Sequence, residues 1–170
     1  MTDAARIAAA EARSWLRVRL LAATLAAAAP LSNAAVSCTA SAIPVAFGTY
    51  DALSATPRTA AGRITLRCTA SGVAELVSAS LAIGTGLGGD FTARRLMSGA
   101  NPLNYNLFTS STYALVWGDG TAGTGQVAVA LNVPAGATRS ANRTVYGRIP
   151  ALQNPAAGSF ADTVVVTVSY

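Results

Sequence analysis

Whatever chemistry this chain performs must be done without histidine or lysine, because its 170 residues contain neither. Without an imidazole, no Ser–His–Asp or Cys–His nucleophile can be assembled. Without a lysine amine, neither a Schiff base nor a Ser–Lys pair can form. Paired carboxylates remain, as in glycoside hydrolysis. Beyond the first 34 residues the acids are Asp51, Glu75, Asp90, Asp119 and Asp162. Each lies beside turn residues or in a polar strand position, where acids are ordinarily solvated. The pattern points away from an enzyme, and no cofactor is expected.

Four further groups invite a chemical reading. Gly84, Gly86 and Gly89 match G-x-G-x-x-G, but a dinucleotide fingerprint needs strand, turn and helix, and residues 91–97 read as extended. The cluster ends at Asp90, like one copy of a calcium-binding glycine–aspartate repeat; a hairpin loop is the plainer reading. Arg94 and Arg95 are neighbours on an extended stretch, so they point to opposite faces. One should meet solvent, and the other an acid or a set of loop carbonyls. Trp117, beside the Gly118-Asp119-Gly120 turn, could stack on a sugar with Tyr113 and Asp119 nearby, or could pack in a core. Cys38 and Cys68, with no His and no C-x-x-C, make a poor metal pair. Asn142-Arg143-Thr144 has the form of a glycosylation sequon, which arises readily by chance.

The compartment is read from the start of the chain. Arg6, Arg13, Arg17 and Arg19 precede an apolar run of ten, residues 20–29. Pro30 breaks that run, and Ser32-Asn33-Ala34 offers small residues for cleavage. This is the pattern of a secretory signal peptide over residues 1–34. The run is half of the roughly 20 apolar residues that a spanning helix needs, so no membrane span is expected after cleavage. Residues 35–170 then form one domain with room for a core. They carry eight arginines against five acids, a net charge of +3. Spread thinly along the sequence, that charge is no nucleic-acid footprint. Export and an even cysteine count favour a Cys38–Cys68 disulfide, worth about 3–4 kcal/mol in the chain-entropy model.

The elements that must position these groups all read as strands. Short alternating runs at 37–47, 62–69, 74–83, 91–97, 103–108, 113–117, 126–133, 143–149 and 159–170 are separated by Gly, Pro, Asn and Asp. In the first, Ile43, Val45 and Phe47 share a face. In the second, Ile64, Leu66 and Cys68 point one way while Arg63, Thr65 and Arg67 point the other. The last run places Val164, Val166, Val168 and Tyr170 on one face. It contains no Lys or Pro to protect an open edge, so we expect an edge near it to be completed by another molecule. Such spacing of strands points to a β-sandwich.

Several stretches together carry a family resemblance: 38–51 (CTASAIPVAFGTYD), 91–97 (FTARRLM), 103–108 (LNYNLF), 116–120 (VWGDG), 144–150 (TVYGRIP) and 159–170. The chain is similar, over nearly all of residues 35–170, to the spore coat protein U domain family, which includes pilus subunits of archaic chaperone–usher systems. The resemblance implies an immunoglobulin-like sandwich lacking its final strand, filled first by a periplasmic chaperone and then by another subunit. It implies a secreted structural subunit of a surface fibre in adhesion or biofilm formation. The protein would reach the cell surface through the periplasm, with a chaperone, an outer-membrane usher and other pilins as partners. The expected acceptor groove uses Val45, Phe47, Val164, Val166 and Val168, and the chaperone would hold the carboxylate of Tyr170. Cleavage after Ala34 leaves only Ala35, Val36 and Ser37 before Cys38, too short for a donor strand of about nine residues. A terminal or minor subunit is therefore expected. The alternative is a self-contained secreted module binding carbohydrate or a surface.

Overall fold

The structure, a computed structural model, describes residues 35–170; the expected signal peptide, 1–34, lies outside the described residues. Alternating burial decides where the strands form. In β2 (Arg58–Ser71), Ile64, Leu66, Cys68 and Ala70 are buried while Arg63, Arg67 and Thr69 are exposed. β3 (Glu75–Ile83) buries Val77, Ala79, Leu81 and Ile83. β5 (Asn101–Phe108) buries Leu103, Tyr105 and Leu107. β6 (Val127–Val133) buries Val129 and Val133. β1 (Ala35–Ile43), β4 (Arg94–Ser98), β7 (Thr138–Ile149) and β8 (Val166–Ser169) complete the strands.

The strands pair antiparallel in two sheets, ordered β1-β2-β7-β5-β4 and β6-β3-β8. The buried side chains of both sheets form one core cluster. This is an all-β sandwich of the immunoglobulin-like kind. Cys38 and Cys68 lie opposite each other in the β1–β2 register and form the expected disulfide.

β2 begins at Arg58 where 62 was expected and β4 at Arg94 where 91 was expected; four further elements differ from the sequence expectation for a physical reason. The first strand ends at Ile43 and not at 47. After Pro44 the chain leaves the sheet edge and crosses the inner face over two buried glycines. A Cβ at Gly62 would lie 2.7 Å from the Ile43 carbonyl oxygen, and one at Gly147 would lie 2.6 Å from both Phe47 and Val45. Ile43 therefore does not share a face with Val45 and Phe47; it is 60 % exposed.

β7 begins at Thr138, five residues before the expected start, because β2 pairs with it along its whole length although its first half is polar. Residues 113–117 form no strand and make only isolated bridges, Phe108 to Val116 and Trp117 to Gly125. The final run is paired as a strand only over Val166–Ser169. Upstream, Ala161 bridges Met97 of β4 while β8 itself pairs with β3. The segment changes sheets, so no continuous ladder can form, yet Val164, Val166 and Val168 keep their inward alternation.

Candidate interaction groove

Each sheet ends in two edge strands among the described residues, β1 and β4 in the first and β6 and β8 in the second, and the edges of β1 and β8 meet. β1 pairs with β2 alone, and β8 with β3 alone. The two edges approach each other where the Cys38 N–H donates to the Tyr170 hydroxyl, 3.4 Å away. Further along, the Tyr50 hydroxyl donates to the Pro150 carbonyl at 2.9 Å and accepts from the Gln153 N–H at 2.9 Å. Gln153 is itself held like a strand residue, exchanging side-chain hydrogen bonds with the backbone N–H and carbonyl of Asn104. The segments 38–50 and 153–170 thus run in opposite senses, tied near both ends.

Near the Tyr50 end lies a cleft of about 780 Å³. Residues 45–50 form one side and 155–162 the other, with Leu96, Leu103 and Ile149 also lining it. Val45 and Phe47 line this cleft, as does Phe160. Phe47 is fixed by an edge-to-face contact with Tyr105, centroids 5.9 Å apart, and by Arg58, whose Nε–H donates to its carbonyl at 2.7 Å. Val164, Val166 and Val168 do not line the cleft; they pack against the core, half-buried, along the inner face leading to β8. The structure therefore brings two of the five expected groove residues to the cleft and aligns the other three beyond it. Leu96, Ile149 and Phe160 were not singled out from the sequence. Leu103 shares a face with Tyr105 and Leu107 in its alternating run, but no local pattern says which core side chains border an opening.

A buried arginine holds the loops behind this region. Arg94 is fully buried and Arg95 exposed. The Arg94 guanidinium donates to the carbonyls of Ile83 (3.2 Å), Gly84 (2.8 and 3.0 Å) and Trp117 (2.7 Å), and to the Asn106 side-chain oxygen (2.7 Å). It also lies 5.5 Å from the centre of the Phe91 ring. Burial lowers its pKa, opposed by Tyr105 and Asp162. The carbonyl-capping role expected for one of the two arginines belongs to Arg94.

Asp162 fastens the glycine loop. Its carboxylate accepts from the Tyr105 hydroxyl (2.6 Å), the Leu87 N–H (2.8 Å) and the Thr163 N–H (2.7 Å). Gly86 has a φ of +69°, and a Cβ there would collide with this carboxylate. Gly86–Gly88 forms a single 3₁₀ turn that leads to β4, with no helix to hold a dinucleotide phosphate. Burial, then the Asp162 hydrogen bond, push the Tyr105 phenol pKa up.

The sugar-stacking arrangement does not form. Trp117 is fully buried, and its Nε1–H donates to the Leu81 carbonyl at 2.9 Å. Tyr113 packs edge-on against Phe108 at 5.4 Å. Asp119 caps its own turn, accepting from the hydroxyl and N–H of Thr121, which hold its carboxyl below the usual range.

Comparison with known proteins agrees with this architecture. The family model described as the Spore Coat Protein U domain matches residues 22–167. Protein U of Myxococcus xanthus is 31% identical over 137 residues, covering 73% of this chain and 70% of that protein. A solved chain also aligns with a TM-score of 0.53 at 21% identity. It comes from the CsuC–CsuE chaperone–tip adhesion subunit pre-assembly complex of archaic chaperone–usher Csu pili of Acinetobacter baumannii. That alignment covers 80% of this chain and only 40% of the other, and it speaks to the fold.

Proposed function

Because the chain belongs to the Spore Coat Protein U domain family, we propose that it is a secreted structural subunit of a chaperone–usher surface fibre, serving adhesion or biofilm formation. In this reading the sandwich is one strand short. A chaperone strand, and later a strand from another subunit, adds beside β8 and places alternate side chains over Val164, Val166 and Val168 and into the cleft at Val45 and Phe47. The observation that carries it is that two edge strands of opposite sheets, β1 and β8, meet with a cleft lined in part by Val45, Phe47, Leu96, Leu103, Ile149 and Phe160 beside the segment leading into β8. Strand addition supplies main-chain hydrogen bonds along an open edge and side-chain burial in the groove. Four or five buried aliphatic side chains would add about 10 kcal/mol, comparable with the stability of a whole domain.

The exported chain begins at Ala35 in this reading and offers three residues before Cys38. It accepts a strand without donating one, as a terminal or minor subunit would. The chaperone engages the segment at Tyr170, and an outer-membrane usher receives the complex. The carbohydrate-binding alternative has lost its aromatic platform, because Trp117 is in the core. Periplasmic expression with and without an archaic-type chaperone tests the proposal, with a photo-crosslinker beside Tyr170. A one-to-one complex crosslinked at that position is expected. A stable monomer indifferent to the chaperone would overturn it.

A further inference from the structure

Two paired strands carry most of the arginines, divided between the two faces of their sheet. Arg58, Arg63 and Arg67 lie on β2, and Arg139, Arg143 and Arg148 on β7. These are six of the eight arginines in residues 35–170, and β1, β2 and β7 contain no Asp or Glu. Four of the six are occupied. Arg58 donates to the Phe47 carbonyl, Arg139 to the Thr138 carbonyl and Arg143 to the Ala128 carbonyl, and Arg148 stacks 5.5 Å from the Tyr113 ring centre. Arg63 and Arg67 are exposed and make no hydrogen bond or ion pair among the described residues.

Both project from the outer face of the first sheet, because they alternate with buried Ile64, Leu66 and Cys68. They are four residues apart on one strand, about 13 Å. Between them Thr65 donates its hydroxyl to Asn142 at 2.7 Å. The register sets Thr39 and Ser140 beside Arg67, Ser41 beside Thr65, and Thr144 beside Arg63. The result is a strip of hydroxyls and one amide with an unpartnered guanidinium at each end, exposed Ile43 beside Arg63, and no carboxylate on its strands.

We propose that this outer face of β1, β2 and β7 binds an extended acidic polysaccharide. Guanidinium groups pair with carboxylates or sulfates in a two-pronged geometry, and the hydroxyls and amide between them match the hydroxyls of sugar rings. Single-stranded nucleic acid calls for a series of aromatic stacking platforms, and the outward positions of these strands carry one aromatic residue, Tyr146. The face is on the side of the sheet opposite the core and the candidate groove, so binding does not depend on strand addition.

The test uses the exported chain, purified with its chaperone if it needs one, and alginate as the probe. Neutral dextran and an oligothymidine strand serve as controls, at low and high sodium chloride. Binding to alginate is expected, weakening with salt, with none to dextran and weaker binding to the oligonucleotide. The double substitution Arg63→Gln and Arg67→Gln should weaken alginate binding about tenfold or more, as the loss of charge-assisted hydrogen bonds predicts. Arg95→Gln, an exposed arginine on β4, should leave it unchanged. Thermal melts of both variants should match the parent. No alginate binding, equal binding by the double variant, an equal loss with Arg95→Gln, or preference for the oligonucleotide would each overturn the proposal.

Discussion

The Cys38 amide donates to the Tyr170 hydroxyl at 3.4 Å, joining the outer edge of β1 to that of β8 at a single point. Cys38 also faces Cys68 across the β1–β2 ladder and is bonded to it. One residue thus anchors an edge strand covalently on one side and, on the other, touches the residue that follows β8, an edge strand of the second sheet. Tyr170→Phe removes the hydroxyl alone. The bond is long and exposed, so stability should fall by about 0.5 kcal/mol or less, while hydrogen exchange at the Cys38 amide should quicken. Unchanged exchange at that amide would show that the contact does not protect it.

The disulfide closes a sequence separation of 30 residues. Its removal by Cys38→Ala with Cys68→Ala should cost about 3–4 kcal/mol. Urea unfolding of the double variant against the oxidised parent measures this. The loss should be the same whether or not an added strand occupies the groove.

Arg94→Met leaves the carbonyls of Ile83, Gly84 and Trp117 without their guanidinium donor. Breaking such a buried polar network should destabilise by about 3–5 kcal/mol. Arg94→Lys should not restore it, because an ammonium cannot present the planar fork that reaches three carbonyls and Asn106. Arg95→Ala, on the opposite face, should change stability by no more than about 0.5 kcal/mol. Thermal melts of the three variants separate these outcomes.

The Tyr105 phenol has its pKa raised in the folded protein, chiefly by burial and then by the hydrogen bond to Asp162. The folded state therefore favours the protonated phenol. That contribution is fully present below the unfolded tyrosine pKa of about 10 and is lost as pH rises above it. Urea midpoints should fall from about pH 10 upward, and Tyr105→Phe should flatten that fall while lowering stability at neutral pH.

Much of the fold was legible because one face of each strand is buried. The alternation in β2, β5 and β6 put Ile64 with Leu66, Leu103 with Leu107, and Val129 with Val133 on shared faces, and these faces are buried. The crossing at Ile43 to Phe47 was not legible, because it depends on Gly62 and Gly147 lying beneath it, far away in sequence. The polar start of β7 was hidden because backbone pairing with β2 forms it, with little side-chain burial. The doublet Arg94-Arg95 announced that one guanidinium would turn inward, but not that carbonyls from β3 and from Trp117 would receive it. Of the residues expected in an acceptor groove, Val45 and Phe47 line the cleft. Phe160 also lines the cleft but was not singled out, because its segment changes sheets at the Ala161–Met97 bridge.

The most direct test of the incomplete sandwich is a thermal melt of the purified exported chain with a nine-residue peptide of alternating aliphatic side chains. A control peptide of the same composition has the alternation scrambled. Strand addition predicts that the alternating peptide raises Tm by more than about 10 °C, since several kcal/mol shift a domain of this size by that much, and that amides of β8 become protected from exchange. A melt unchanged by either peptide, with the β8 amides already protected in the isolated chain, would contradict it.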